Sequence, residues 1–240
     1  MQSTNKLLVV YSAVLTAALA VSLVTRAPAV TSLQSIDVLE VKRINLREED
    51  GTLRMVIANT SRFPGIIFHG HERPHPDRRT AGILFFNNEG TENGGLIFGG
   101  AKTGGKVDTY AHLSFDQYDQ DQVLTVAQSE SNGERTAGIN ILDRPLEPLD
   151  FGLIDRIHSI PAGAARQEEL DRARAGGKFG FTRLTVGKTA DHASTVKLMD
   201  DHGRARLVLK VTAGGEAAIE FLDDNGKVVR SLTGTSATPE

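Results

Sequence analysis

The stretches Ala81-Gly82-Ile83-Leu84-Phe85-Phe86-Asn87, Ala137-Gly138-Ile139-Asn140-Ile141-Leu142-Asp143 and Ala217-Ala218-Ile219-Glu220-Phe221-Leu222-Asp223 are one phrase written three times. Each copy has two small residues, an isoleucine, a variable position, two bulky apolar residues and a short polar residue. That is the pattern of a strand running into a turn. The repetition extends upstream of the first and third copies. Gly51-Thr52-Leu53-Arg54-Met55-Val56-Ile57-Ala58-Asn59-Thr60 aligns with Gly203-Arg204-Ala205-Arg206-Leu207-Val208-Leu209-Lys210-Val211-Thr212 at the glycine, the arginine, the central apolar positions and the threonine. The chain therefore reuses a hairpin.

Polar residues leading into glycine recur between apolar runs, at 49–51, 88–90, 131–133, 201–203 and 224–226. Glycine tolerates the positive φ of tight hairpin connections, so each site predicts a turn. Ile36 to Leu46 alternates imperfectly, as a half-buried strand with one irregularity would. Together these signals predict a mainly β domain over 32–232, built of repeated antiparallel hairpins with about ten to twelve short strands. They leave open whether it closes as a sandwich, a barrel-like sheet or a solenoid. Gln167 to Ala175, preceded by Ile160-Pro161-Ala162-Gly163 and closed by Gly176-Gly177, predicts one short helical connector. Residues 233–240, rich in Ser, Thr and Gly, read as a flexible tail.

The two aligned hairpins differ in one respect. In the later copy Ala213 to Glu216 makes a tight connection, whereas in the earlier one Ser61 to Thr80 intervenes. Extra residues in one copy of a repeat map to an exposed loop and often to a binding face.

Residues 1–31 form a separate segment. No residue from Leu7 to Thr25 is charged, between Lys6 and Arg26. That run is near the minimum length for a membrane-spanning helix and exceeds the usual signal-peptide core of about 7 to 15 residues. It favours a single-pass anchor that makes the membrane a partner and places the β domain outside the cytoplasm. The alternative is a cleaved signal, with its core ending at Ala18-Leu19-Ala20 or cleavage after Ala27-Pro28-Ala29, and a secreted or periplasmic product. The flanking Lys and Arg residues are too evenly divided to fix orientation.

Composition narrows the function classes. With 27 Lys and Arg against 30 Asp and Glu, no tryptophan and three tyrosines, the chain has neither the basic footprint nor the aromatic platforms of a nucleic-acid binder. The absence of cysteine excludes disulfides, thiolate metal sites and thiol catalysis.

Three further stretches, Val41-Lys42-Arg43-Ile44-Asn45-Leu46, Gly90-Thr91-Glu92-Asn93-Gly94-Gly95-Leu96-Ile97-Phe98-Gly99-Gly100 and Leu113-Ser114-Phe115-Asp116-Gln117-Tyr118, carry a resemblance over most of the chain after Ile36. In them the chain resembles a family of uncharacterised bacterial proteins with a hydrophobic N-terminus and a β-rich domain. The resemblance implies a bacterial source and an envelope location, and brings no assigned chemistry.

The candidate sites are modest. The insertion holds His69, His71 and His75 with Glu72 and Asp77, oxygen and nitrogen donors suited to zinc. Pro74 and Pro76 exclude the helix on which zinc-binding histidines share a face, and the plain reading is an exposed polar loop. Gly100 to Val107 follows the spacing of a phosphate-binding loop up to Val107, which has no hydroxyl for magnesium and no following helix. Asp116, Asp119 and Asp121 offer oxygens for calcium but lack the glycine turn and closing glutamate of an EF-hand, so they read as a polar bend between strands. His112 and Ser114 share a face without forming a recognisable triad. Arg54 and Arg206, at equivalent repeat positions, are expected on the solvated face or paired with turn carboxylates. No catalytic residue and no cofactor is assigned. These features favour a non-enzymatic, membrane-tethered binding or structural domain with a protein or small-ligand partner. The rival is a metal-dependent hydrolase using His69, His71, His75 and Asp77, and a third reading is assembly through exposed sheet edges.

Overall fold

Each of the five predicted glycine turns connects two adjacent strands in the computed structural model, which describes residues 2–24, 35–75 and 78–234. Gly51, Gly90, Gly133, Gly203 and Gly226 all take positive φ, between 73° and 90°. The polar residue that ends the repeated phrase now has a physical role. Asn87 Oδ1 accepts from the backbone N–H groups of Glu89 and Thr91 at 2.9 and 3.0 Å. Asp223 Oδ1 does the same for Asn225 and Lys227, both at 2.9 Å. A side chain that satisfies two turn donors stops the strand and starts the reversal.

The strands are β1 (Arg43–Arg47), β2 (Leu53–Ala58), β3 (Ile66–Phe68), β4 (His71–Arg73), β5 (Ala81–Phe86), β6 (Glu92–Thr103), β7 (Lys106–Asp116), β8 (Gln122–Ser131), β9 (Glu134–Asp143), β10 (Phe181–Lys188), β11 (Ser194–Met199), β12 (Ala205–Val211), β13 (Ala217–Leu222) and β14 (Val228–Thr233). Twelve of them form one antiparallel sheet in the order β1-β2-β5-β6-β7-β8-β9-β10-β11-β12-β13-β14, and β3 and β4 make a separate small hairpin. The alternatives left open by the sequence thus resolve into a single open sheet with β1 and β14 at its edges. The strand expected from Ile36 begins at Arg43, and Thr233, assigned to the tail, ends β14; residues 235–240 lie outside the described residues.

The N-terminal segment is a helix, α1 (Gln2–Val24), whose stretch Asn5–Ser22 is long and apolar enough to cross a membrane. At about 1.5 Å per residue its 23 residues match a hydrocarbon core about 30 Å thick. It is compatible with a signal anchor or a signal peptide, and Ala27-Pro28-Ala29 lies outside the described residues. Residues 1–40 and 41–240 are two separate compact units.

Two insertions interrupt the sheet. The first, between β2 and β5, holds the β3–β4 hairpin; the second, between β9 and β10, holds α2 (Phe151–Ser159) and α3 (Ala164–Ala175). The predicted connector is therefore the second of two helices, and the break at 160–163 separates them. The Asp150 side chain caps α2 by accepting from the Leu153 N–H at 2.9 Å. Leu153 and Ile157 bury one face of α2 against Ala173, Leu170 and Phe179.

The main core lies under the first insertion. Val56, Leu84 and Phe86 of the sheet pack with Ile67 of β3, and Val56 and Leu84 are all but inaccessible. The glycine at the second position of the first two copies follows from the close approach of neighbouring strands, whereas the third copy has Ala218 there. A Cβ on Gly82 would lie 2.1 Å from the Leu96 carbonyl oxygen, and its φ of 151° is one that side chains avoid. Arg54 pairs with Glu48 at 3.0 Å, and Arg206 pairs with Asp224, so both repeat arginines meet turn carboxylates.

The opposite face differs from what alternation alone suggests. Cross-strand register aligns Ile44, Ile57, Ile83, Leu96, Leu113 and Val126 in one row. The row continues through Ile139, Val186, Val196, Leu209, Ile219 and Leu232, one residue per strand. None of these twelve is fully buried.

Candidate functional site

Register places His112, Ser114 and Asp116 of β7 on the same face as Leu84 of β5 and Gly95 and Ile97 of β6. Both insertions lie over this face, and they meet each other. Phe68 of β3 and Phe151 of α2 pack edge to face with centroids 5.0 Å apart. The Arg73 guanidinium stacks 4.4 Å from the Phe151 ring and pairs with Asp155 at 2.7 Å. The His75 and His158 rings lie 5.5 Å apart. Beneath these contacts is a cavity of about 540 Å³, within the range of about 300–1,000 Å³ typical of small-molecule sites.

Its lining is part apolar and part charged. The insertions supply most of the apolar side chains, among them Ile67, Phe68, Ile154, Ile157 and Phe179, together with His75, Arg78 and His158, and the sheet supplies His112, Ser114, Asp116 and Glu92. Two ion pairs are satisfied internally. Arg78 makes a two-pronged pair with Glu92, with both side chains largely buried, and also donates to the Gly65 carbonyl at 2.8 Å. Arg144 holds Asp121 at 3.1 Å and donates to the carbonyls of Gln122 and Phe179. Ser114 Oγ accepts from the Gly95 N–H at 3.2 Å, and Gln120 donates to the Glu147 carbonyl at 2.7 Å.

Asp116 is different. Its Oδ1 is buried without a hydrogen-bond partner. Burial, reinforced by the Glu92 and Asp121 carboxylates, pushes its pKa up to about 7. Burial and the nearby Arg78 charge lower the pKa of His112, against a smaller opposing pull from Asp121. Arg78 is committed to Glu92 and Arg144 to Asp121, so Asp116 is the lining carboxylate without an ion-pair partner, and Arg79 lines the same cavity.

The histidine insertion and the acidic bend, read separately in the sequence, come together here. His75, Asp116 and Asp121 line the cavity. His69 sits at its rim, with Nε2 3.1 Å from Asp119 and Nδ1 3.5 Å from Glu89. The two ring nitrogens point to different carboxylates. His71 is exposed on β4, away from that group, and Asp77 lies outside the described residues. Glu72 accepts from the Gly65 N–H at 2.8 Å, a loop-closing role.

Arg78, Glu92 and the α2 helix were not singled out in the sequence. The signal for α2 was available in Asp150 ahead of Leu153, Ile154 and Ile157, a capped apolar stripe at helical spacing. No protein-family model matches the chain, and no curated protein matches it. The hydrophobic N-terminus and β-rich domain implied by the sequence resemblance are both present.

Proposed function

We propose that this chain is a membrane-tethered envelope protein of bacterial type whose β domain binds a small amphipathic ligand bearing a protonated amine. The observation that carries the reading is the cavity that the two insertions and the sheet line, with Asp116 Oδ1 buried in it without a partner. An ammonium group would give Asp116 the hydrogen-bond and ion-pair partner it lacks, while the apolar side chains take the rest of the ligand. A non-enzymatic role suits a site in which Arg78, Glu92, Asp121 and Ser114 are committed to structural partners.

Calorimetric titration of the full chain in mild detergent tests this with phenethylamine as probe and phenylacetate as the oppositely charged control. With its pKa raised to about 7, Asp116 is partly protonated near neutrality, so amine binding releases protons. Buffers of different ionisation enthalpy read out that release. Amine binding that disappears in Asp116→Asn supports the reading, and equal binding of amine and carboxylate refutes it.

A metal centre has one observation in its favour: ligand atoms of His69, Glu89 and Asp119 lie within 4.8 Å of one another. This keeps His69 from the predicted set and replaces His71, His75 and Asp77 with two carboxylates. Elemental analysis decides it; stoichiometric zinc that is lost in His69→Ala would favour the hydrolase.

A further inference from the structure

The sheet face opposite the cavity is apolar and open from edge to edge. Beside the row from Ile44 to Leu232 runs a second, from Leu46 through Met55, Phe85 and Phe115 to Phe221, in which only Gly94 and Arg230 break the apolar series. Val126 and Ile57, in the first row, are 46% and 41% exposed. An antiparallel sheet with one solvated face normally turns its polar side to water.

Size points to an interface. Eleven inter-strand steps of about 4.8 Å and two side-chain rows spanning about 14 Å give a footprint of about 740 Å². The largest apolar patch on a typical monomer is about 300–600 Å², and a standard interface takes about 800 Å² from each partner. We infer that this face joins two copies of the chain, packed sheet against sheet.

Charge and shape select a second copy as the occupant. The two rows hold one cation, Arg230, and no acid, and beside them the same face carries Lys102 and Lys188 far apart and Arg135 paired to Glu130, a scattered set and not the continuous basic rim of a lipid-binding face. Phe98 and Phe115 stand out on the β6–β7 half at 54% and 48% exposure. The β10–β14 half instead forms a depression of about 730 Å³ lined by Val186, Val196, Leu209, Ile219 and Leu232. A twofold axis parallel to the strands reverses the strand order of one copy over the other, so each protruding half faces a depressed half. Sheets stacked this way lie about 10 Å apart. Strands β8 and β9 are central in the order, which puts Val126 and Ile139 near the axis and Ile44 opposite Leu232 of the second copy.

Because the chain has no cysteine, single substitutions report cleanly. The full chain is reconstituted in phosphatidylcholine vesicles and treated with a short bis-maleimide. Val126→Cys should cross-link to itself, and Ile44→Cys should link to Leu232→Cys only when the two are mixed. Thr185→Cys, on the other face, should stay monomeric. In mild detergent, light scattering should give a protein mass twice the 25.8 kDa of one chain, falling to one chain in the double variant Val126→Lys, Val186→Lys. Circular dichroism checks that this variant keeps its sheet; if it does not, the cross-links of the conservative Val126→Cys decide. A monomer with no Val126→Cys cross-link overturns the inference. So does a dimer that survives the folded lysine variant, or one that cross-links through the edge strands.

Discussion

Replacing Asp116 by Asn tests the electrostatics of the cavity directly. The folded state raises the Asp116 pKa from 3.8 to about 7, so between these values the native protein binds a proton that the unfolded chain has released. Stability contributed by the protonated form is complete below about pH 4, declines as pH rises and is gone above about pH 7. At about 1.4 kcal/mol per pKa unit, the three units amount to about 4 kcal/mol. Asn keeps the shape and polarity of the neutral acid and cannot ionise. Asp116→Asn should therefore match the parent in urea unfolding at about pH 4 and exceed its stability by up to about 4 kcal/mol at about pH 9. Far-UV circular dichroism of the full chain in detergent follows the transition. Comparing variant with parent at each pH cancels the contributions of other carboxylates. A difference that does not grow with pH, or a variant less stable than its parent at high pH, would falsify the assignment of Asp116 as the uncompensated acid.

Arg78→Met should cost about 3 kcal/mol, because it leaves Glu92 largely buried without its partner, and the double variant with Glu92→Gln should recover part of the loss in the same unfolding assay. Gly82→Ala should cost several kcal/mol by unfolding titration, since its Cβ would fall 2.1 Å from the Leu96 carbonyl oxygen. Asp223→Ala removes the acceptor of two turn N–H groups and should cost about 1 kcal/mol, measured by thermal unfolding. Arg73→Ala breaks the Asp155 pair and the Phe151 stack that join the two insertions; amine affinity should fall, with the core transition shifted by under about 1 kcal/mol because the pair is exposed.

Local chemistry made much of the sheet readable. A glycine with positive φ and an Asx side chain that satisfies its own turn are properties of a few adjacent residues, so Asn87 to Gly90 and Asp223 to Gly226 announce their reversals without tertiary information. The duplicated hairpin and the elongation of its first copy were equally legible, and that elongation does cover the cavity. The second copy of the phrase shows the limit: Asp143 has the same polar ending as Asp223, yet it leads into the helical insertion and pairs with Arg183 at 2.6 Å. The site was readable only in pieces. His75, Arg78, Glu92, Asp116 and Ile157 are far apart in sequence, and nothing in their neighbours says that two insertions fold over one sheet face.

The sequence by itself determined the strands, their turns, the apolar helix at the N-terminus and the division of each strand into two faces, because these follow from backbone conformation and a two-residue period. Only the tertiary structure decided which face each insertion covers. Alternation tells which side chains share a side, but burial depends on what is brought against that side from elsewhere. For that reason the polar side of β7 became a cavity wall with a carboxyl group held near neutrality, and the apolar side became the open face on which we place a second copy.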